Sequence, residues 1–571
     1  MDSERAGRST KRIRGAQILC EALLRQGVEV VFGYPGGAVL NIYDELNCFE
    51  GALRHILCRH EQGAVHMAEG YARATGKTGV VLATSGPGAT NTVTGIANAF
   101  MDSTPIVVIT GQVPRPMIGT MAFQEIDITG ITRPCTKYSY SVTNAGEIAE
   151  IVAEAFHIAS SGRPGPVLID IPKDVTAEMS NYFPADLTSH FKSDANAPIE
   201  DVQKVVGRLL EARRPIFYIG GGIDRANASE ELFAVVERLG VPVTSTLMGL
   251  GAFPAGHPQC LGMLGMHGQF AANRAIADSD MILALGARFD DRVTGNVEKF
   301  APEAEIFHVD VDASSVRQRI NIHHPITADA RDFLLKMASV MNERGVGSLE
   351  QTADWWRQIR EWQQEVPLSF ERSEDLIKPQ HLCRELARLT NNDAIISTDV
   401  GQHQMWLAQY YGFQRIRQSL TSGGLGTMGF GLPAALGAQI ALPESRVIAF
   451  VGDGGFQMTA QELATAVQYQ TDLKVIVMNN GSLGMVRQWQ ELLYDRNYSH
   501  VDLSGSPDFV KLAEAYGARG LRATHPAELE DVLTDGLGSR GVVVMDIHVA
   551  PDECVFPMIP PGAGHREMRL Q

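Results

Sequence analysis

Short runs rich in Val, Ile, Leu and Phe recur along this chain with helical patterning between them, and this alternation narrows the fold more than any other feature. The runs fall into three clusters. The first holds Val28–Phe32, Gly79–Thr84, Pro105–Thr110 and Pro166–Ile171. The second holds Pro215–Ile219, Pro242–Thr246, Met281–Leu285 and Glu305–Val309, and the third holds Ala394–Thr398, Val447–Val451, Leu473–Met478 and Gly541–Ile547. A strand buried on both faces reads as a continuous apolar run, and strands alternating with helices build parallel sheets from βαβ units. The expected fold class is therefore α/β, with three doubly wound parallel-sheet domains. A chain of 571 residues exceeds a single core and accommodates that number. The expected boundaries are 1–185 with an N-terminal arm, 186–345, a polar Pro-containing linker over 346–378, and 379–571 ending in a short Pro-rich tail after Pro551.

A formal net charge of -17 argues against nucleic acid as a partner, while leaving room for one cleft that takes a small anion. No apolar run is long enough for a membrane-spanning helix, so no membrane partner is expected. Residues 1–15 carry Arg5, Arg8, Lys11, Arg12 and Arg14 without the apolar core of a secretory signal, which reads as a solvated arm. The seven cysteines form no C-x-x-C pair, the usage of reduced thiols in a cytoplasmic chain.

Three short motifs invite a functional reading and fail it. Gly76-Lys77-Thr78 has Tyr71 where a phosphate-binding loop needs its first glycine, and it follows a helical pattern. His60-Glu61 would open a zinc helix only with a histidine where Ala64 stands. Gly424, Gly426 and Gly429 satisfy G-x-G-x-x-G, but the preceding 418–422 is a poor buried strand, so no dinucleotide is expected there.

Val451-Gly-Asp-Gly-Gly-Phe456 is a stronger signal. An apolar strand ends in one acid flanked by glycines, which clear the way for something to approach. Thr459 and Glu462 have capping-box spacing, predicting a helix to about Gln470, and the next strand ends in Asn479-Asn480. Asp453 precedes Asn480 by 27 residues, one βαβ unit, which places both beyond the carboxyl ends of neighbouring parallel strands. A carboxylate and an amide carbonyl are hard oxygen donors, and Mg²⁺ held by few protein oxygens completes its octahedron with phosphates. An isolated Gly-Asp-Gly is more often an Asx-capped turn, so the reading depends on what accompanies it.

What accompanies it is a series of motifs in order: Phe32-Gly-Tyr-Pro-Gly-Gly37, Arg59-His-Glu-Gln62, Thr84-Ser-Gly-Pro-Gly-Ala-Thr-Asn91, Ala122-Phe-Gln-Glu125, Ser161-Gly-Arg-Pro-Gly-Pro166, Gly286-Ala-Arg-Phe-Asp-Asp-Arg292, Ser422-Gly-Gly-Leu-Gly-Thr-Met-Gly429 and Leu483-Gly-Met-Val486. From about Gly15 to Gly562 the chain resembles the thiamine-diphosphate enzymes and, within them, the acetohydroxyacid (acetolactate) synthase family. The resemblance implies a first domain binding the pyrimidine of thiamine diphosphate, a central domain binding FAD, and a third domain binding the diphosphate with Mg²⁺. It implies decarboxylation of pyruvate and condensation of the remaining two-carbon unit with a second pyruvate or with 2-ketobutyrate, giving 2-acetolactate or 2-aceto-2-hydroxybutyrate for branched-chain amino acid biosynthesis.

Residue by residue, the resemblance makes Asp453, Asn480 and the Ser482 carbonyl the Mg²⁺ ligands and Glu61 the acid that activates the aminopyrimidine. Met428 matches the bulky residue that bends the cofactor, with Gly426 and Gly454 packing close to it. Gly37, Phe123, Gln124 and Lys173 match positions around the reacting centre, and Arg292 and Trp489 match those that favour 2-ketobutyrate. For FAD the matching positions are Arg163, Gly220, Gly221, Gly222, Thr246, Leu247 and Met266, followed by His267, Gly286, Arg288, Asp290, Asp310 and Asp329. The resemblance also implies a homodimer or homotetramer with active sites shared between subunits, a small regulatory subunit, and a flavin that is structural rather than redox-active. Arg288-Phe-Asp-Asp-Arg292 argues against a catabolic synthase without FAD, and Glu61 argues against a glyoxylate-condensing relative. A pyruvate oxidase would differ in reducing its flavin.

Overall fold

The apolar runs of all three clusters become strands, with ends displaced by a residue or two, in a computed structural model that describes residues 11–185, 196–314 and 319–571. Each cluster forms one six-stranded parallel sheet flanked by helices. From edge to edge the first sheet runs Arg54–Leu57, Val30–Gly33, Gly79–Ala83, Ile106–Gln112, Pro166–Pro172, Tyr138–Ser141. The third runs Ser419–Leu420, Ile395–Thr398, Val447–Gly452, Lys474–Asn479, Val543–His548, Arg519–Ala523. With the strands of each six-stranded sheet numbered in chain order, both read 2-1-3-4-6-5. The central sheet runs Cys260–Met263, Val243–Ser245, Pro215–Ile219, Met281–Leu285, Glu305–Asp310, His324–Thr327, an order of 3-2-1-4-5-6. That order is the dinucleotide-binding arrangement, with its crevice where the strand order reverses.

Several expectations are corrected. Both edge strands of every sheet were absent from the apolar runs, because an edge strand is half solvated and can be short and polar. The poor strand at 418–422 does pair over Ser419–Leu420, as a two-residue edge. Part of the basic arm is not solvated chain: Lys11–Arg14 pairs antiparallel with Met179–Tyr182 and buries Ile13, while residues 1–10 lie outside the described residues. The expected linker 346–378 contains the helix Ala353–Glu365, which buries Trp355, Ile359 and Trp362, a stripe at helical spacing, against the central domain. The tail after Pro551 is folded back. The Ile559 N–H donates to Met266 O at 2.8 Å, and the buried His565 ring meets Phe300.

The first and third domains meet through the helices Glu61–Thr75 and Gly431–Ala441, each of which follows the second strand of its own domain. A Cβ at Gly70 would lie 1.9 Å from Ala434 O, and one at Gly437 would lie 1.9 Å from Met67 O. Only glycine admits this contact, and it is made twice, reciprocally. The pair fixes where the two helices begin, with Glu61 as the first residue of one and Met428 in the turn before the other.

Candidate active site

In the third domain the chain leaves its first strand, Ile395–Thr398, toward one edge and returns to build Val447–Gly452 on the other side, so the carboxyl ends of these neighbours flank a crevice. A cavity of about 90 Å³ opens there, lined among others by Gln402, His403, Met428, Asp453, Asn480 and Ser482. Asp453 begins the helix Asp453–Thr459, where the helix dipole favours an anion. Its Oδ1 accepts the Gly454 N–H at 2.9 Å, whereas its buried Oδ2 has no hydrogen-bond partner. Burial pushes the carboxyl up to about 6 against backbone N–H groups, first that of Gly454. Ser482 Oγ is likewise buried and unpartnered. Asn480 Oδ1 accepts the Ser482 N–H at 3.1 Å, and its Nδ2 donates to Gln402 Oε1 at 3.4 Å. Among the described residues no group of three His, Cys, Asp or Glu side chains could hold a metal. An ion here would rely on one carboxylate with amide, carbonyl and phosphate oxygens, the donor set of Mg²⁺. An orphaned buried carboxylate oxygen is costly unless something pairs with it, so the residues present fit such an ion.

The helix after Asp453 begins earlier than its capping-box spacing implied. Thr459 Oγ1 donates to Gly429 O, and Glu462 is not a cap: it opens a second helix, Glu462–Gln468, and its carboxylate accepts the N–H groups of Arg59 and His60 in the first domain. A pattern four residues long cannot reveal a partner four hundred residues away. Met428 lies in the turn before Gly431–Ala441, which Asp399 anchors by accepting the Gly429 N–H with both oxygens at 2.9 Å. Asp399, Gln402 and His403 were missed from sequence. The available signal was their place just past the carboxyl end of a recognised strand.

Glu61 is the first residue of its helix, and Asn91 Nδ2 donates to its Oε2 at 2.9 Å. Its carboxylate is buried and does not pair with Arg59, whose guanidinium donates to Leu57 O and Gln468 Oε1. Gly37 opens a single helical turn with open space where a Cβ would stand. Lys173 begins a short helix at the carboxyl end of Pro166–Pro172. Gln124 has φ +61, and Phe123 beside it is 87% exposed. None of Gly37, Glu61, Phe123, Gln124 or Lys173 lines the cavity at Asp453. Gly426 makes a left-handed turn near Val400, while Gly454 lies against Leu483 and the Met428 methyl.

The central sheet reverses order between Pro215–Ile219 and Met281–Leu285, so Gly220–Gly222 and Gly286–Arg288 face each other across the crevice. The Gly222 N–H donates to Gly286 O at 2.9 Å, and a Cβ on Gly222 would lie 2.5 Å from Gly286 Cα. Close packing of the two loops by itself accounts for these glycines. Leu247 opens the turn after Val243–Ser245, and Thr246 Oγ1 and His267 Nδ1 are buried without partners. Burial lowers His267 to about 4. These orphaned atoms fit a polar ligand in the crevice. Met266 donates its N–H to Arg292 O at 2.7 Å. Asp290 and Asp329 cap helices, Asp310 Oδ1 accepts the Asp312 N–H, and Arg163 lies over Phe100 and donates to Ser103 Oγ. The Arg292 guanidinium lies 5.6 Å from the Trp489 ring centroid, joining two domains in a cation–π contact.

Comparison with known proteins agrees with this geometry. Residues 13–131 match the N-terminal thiamine pyrophosphate binding domain of the thiamine pyrophosphate enzymes, 202–337 their central domain and 399–547 their C-terminal thiamine pyrophosphate binding domain. The chain is 47% identical over 567 residues to the acetolactate synthase large subunit of Buchnera aphidicola, covering 98% of this chain and 99% of that one. It is 46% identical over 566 residues to the isozyme 3 large subunit of Escherichia coli, covering 98% of each. The acetolactate synthase of Mycobacterium leprae is 46% identical over 571 residues, covering 98% of this chain and 91% of the relative. With three consecutive domain matches and near-half identity over almost its whole length, the chain belongs to the thiamine pyrophosphate enzymes, in the acetolactate synthase large-subunit family.

Proposed function

We propose that this chain decarboxylates pyruvate with thiamine diphosphate and condenses the two-carbon remainder with pyruvate or 2-ketobutyrate, giving 2-acetolactate or 2-aceto-2-hydroxybutyrate for valine, leucine and isoleucine synthesis. The observation that carries the reading is the unpartnered Asp453 Oδ2, buried at a switch point beside Asn480 and Ser482. Asp453, Asn480 and the Ser482 carbonyl would hold Mg²⁺ against the diphosphate, and Met428 would shape the cofactor from the same cavity. Thiamine diphosphate supplies a nucleophilic thiazolium carbon and the electron sink that makes loss of CO₂ accessible. Glu61, oriented by the Asn91 amide at its Oε2, would exchange a proton with the aminopyrimidine through Oε1, a general acid–base role worth about 10²–10⁴-fold. With the first domain of one subunit set against the third domain of another, Gly37, Phe123, Gln124 and Lys173 would surround the reacting ketoacid and limit water. Arg292 can pair with the carboxylate of the second ketoacid, and Trp489 offers its ring to the extra methyl of 2-ketobutyrate.

FAD would occupy the central crevice, held by Arg163, Gly220–Gly222, Thr246, Leu247, Met266, His267, Gly286, Arg288, Asp290, Asp310 and Asp329. The unpartnered Thr246 and His267 atoms support that placement. A homodimer or homotetramer would bring Glu61 of one subunit to Asp453 of another, and the exposed Met121 and Phe123, 96% and 87%, supply apolar surface for it. The relatives' designation as large subunits supports a small regulatory partner. Among the described residues no helix is long and apolar enough to cross a membrane, and we place the enzyme in the cytoplasm.

The test supplies pyruvate, thiamine diphosphate, Mg²⁺ and FAD, with and without 2-ketobutyrate, to the protein and to Glu61→Gln. Both acetohydroxyacids should form, and the variant should lose about 10²-fold or more in kcat. Acetate with flavin reduction would overturn the reading.

A further inference from the structure

We propose that Glu462 of the third domain is a positioning residue for Glu61, clamping the turn that aims the catalytic carboxylate; the proposal rests on the role given to Glu61 above. Glu462 is fully buried at the start of the helix Glu462–Gln468. Its Oε1 accepts the N–H groups of Arg59 at 3.0 Å and His60 at 3.1 Å, and its Oε2 takes Arg59 N–H at 3.2 Å and Thr465 Oγ1 at 2.8 Å. Arg59 and His60 are the two residues immediately before Glu61, so their backbone sets where that side chain starts.

The same helical stripe continues the grip. Thr465 Oγ1 reaches Leu57 O at 3.3 Å, and Tyr469 OH accepts the Leu57 N–H at 2.8 Å and donates to His55 O at 3.3 Å. Positions 462, 465 and 469 share one helix face. They hold the main chain at His55, Leu57, Arg59 and His60, along and just past the edge strand Arg54–Leu57, which has no neighbouring strand on that side among the described residues. The fit is close, since a Cβ at Gly63 would lie 2.5 Å from Glu462 Oε1.

The internal symmetry of the chain repeats the device in reverse. Asn98, on the helix between the third and fourth strands of the first domain, accepts Ser422 Oγ at 2.5 Å and Thr427 Oγ1 at 3.0 Å. Asp102, one turn on, accepts the N–H groups of Gly423 at 3.1 Å and Gly424 at 2.7 Å. Glu462–Gln468 occupies the corresponding place in the third domain. Each domain therefore holds the turn before the other's catalytic helix, Glu61 in one direction and Met428 in the other. A capping role would not require this reciprocity.

The test uses the full-length protein and Glu462→Gln, which keeps the shape but leaves a single acceptor oxygen for three donors. Expected are a fall in kcat of about 10- to 100-fold, the scale of a small misplacement of a reacting group, with KM for pyruvate and thiamine diphosphate affinity nearly unchanged and Tm lowered by only a few degrees, as for one buried donor left without its acceptor. Glu462→Asp should recover part of the rate, and amide hydrogen exchange over 55–63 should accelerate in the cofactor-free variant. Unchanged kcat and exchange would overturn the proposal, as would losses of kcat, cofactor affinity and Tm in parallel. Rapid exchange of Arg59 and His60 in the unaltered protein would also overturn it, whatever the variants do. An unaltered protein that makes no acetolactate but protects 55–63 through Glu462 would instead defeat the assigned reaction.

Discussion

The first and third domains share one strand order and pack equivalent helices on each other, yet they place their acids differently. After its second strand the first domain has Glu61 and the third has Met428. After its third strand the first domain has the uncharged Thr84-Ser-Gly-Pro-Gly-Ala-Thr-Asn91 and the third has Gly452-Asp453-Gly454. Topology therefore supplies the same two stations twice, and on the proposed reading it is the side chains that would make one a proton-handling station and the other an ion-holding one.

The sharpest way to break that comparison is to remove each acid and separate binding from rate. Asp453→Ala should lose metal-dependent retention of thiamine diphosphate and more than about 100-fold in activity, beyond the 10–100-fold typical of residues that merely orient a metal's ligands. Glu61→Gln should keep cofactor affinity, measured by calorimetry, and lose turnover alone. Equal losses of affinity in both variants would mean that the two stations are not functionally distinct.

The buried interior of each sheet was legible because continuous apolar runs mark strands covered on both faces. Edge strands such as Arg54–Leu57 and Arg519–Ala523 were not, since a half-solvated strand carries no such run. The placement of Asp453 and Asn480 just beyond neighbouring strands was legible because each follows a recognisable apolar run. Glu462 was misread, because its spacing to Thr459 satisfied a local rule while its partners lay in another domain. The helix Ala353–Glu365 was missed within polar surroundings, although Trp355, Ile359 and Trp362 were visible at helical spacing. Local pattern reports burial well and long-range polar pairing poorly.

A smaller effect sharpens the symmetry itself. Gly70→Ala and Gly437→Ala each add a methyl where a backbone carbonyl lies 1.9 Å away, and a backbone shift must follow. Helix propensity favours alanine by about 1 kcal/mol, but overpacking costs about 1–3 kcal/mol and more where backbone has to move. The net expected is a loss of about 2 kcal/mol or more in each variant, read by denaturant unfolding. If only one glycine proves sensitive, the helix contact is not reciprocal in the way its geometry implies.

The smallest effect concerns two aspartates on corresponding strands. Asp170 lies in Pro166–Pro172 and Asp546 in Val543–His548, both buried. Burial pushes Asp170 up to about 7, only partly offset by Thr110 and Gln112, which are neutral donors. Burial also works against Asp546, but hydrogen bonds from His548 and Asn479, with the Arg522 guanidinium at 3.0 Å, outweigh it and hold that carboxyl below its usual range. The signs follow by linkage. A carboxyl raised on folding contributes stability that is present below its unfolded value near 3.9 and lost as pH rises through about 7. One that is lowered contributes stability present above about 3.9 and lost as pH falls through its folded value. Asp170→Asn should therefore stabilise the protein at pH 8 by about 1–2 kcal/mol, with a smaller gain at pH 5, because Gln112 keeps its bond to Ile126 O and only about 1 kcal/mol of hydrogen bonding is at risk. Asp546→Asn should destabilise it at pH 8, since Arg522 and His548 lose their charged partner. Denaturant midpoints at the two pH values read both changes. The same sign in both variants would show that the shared strand frame, rather than the donors around each carboxylate, governs these groups.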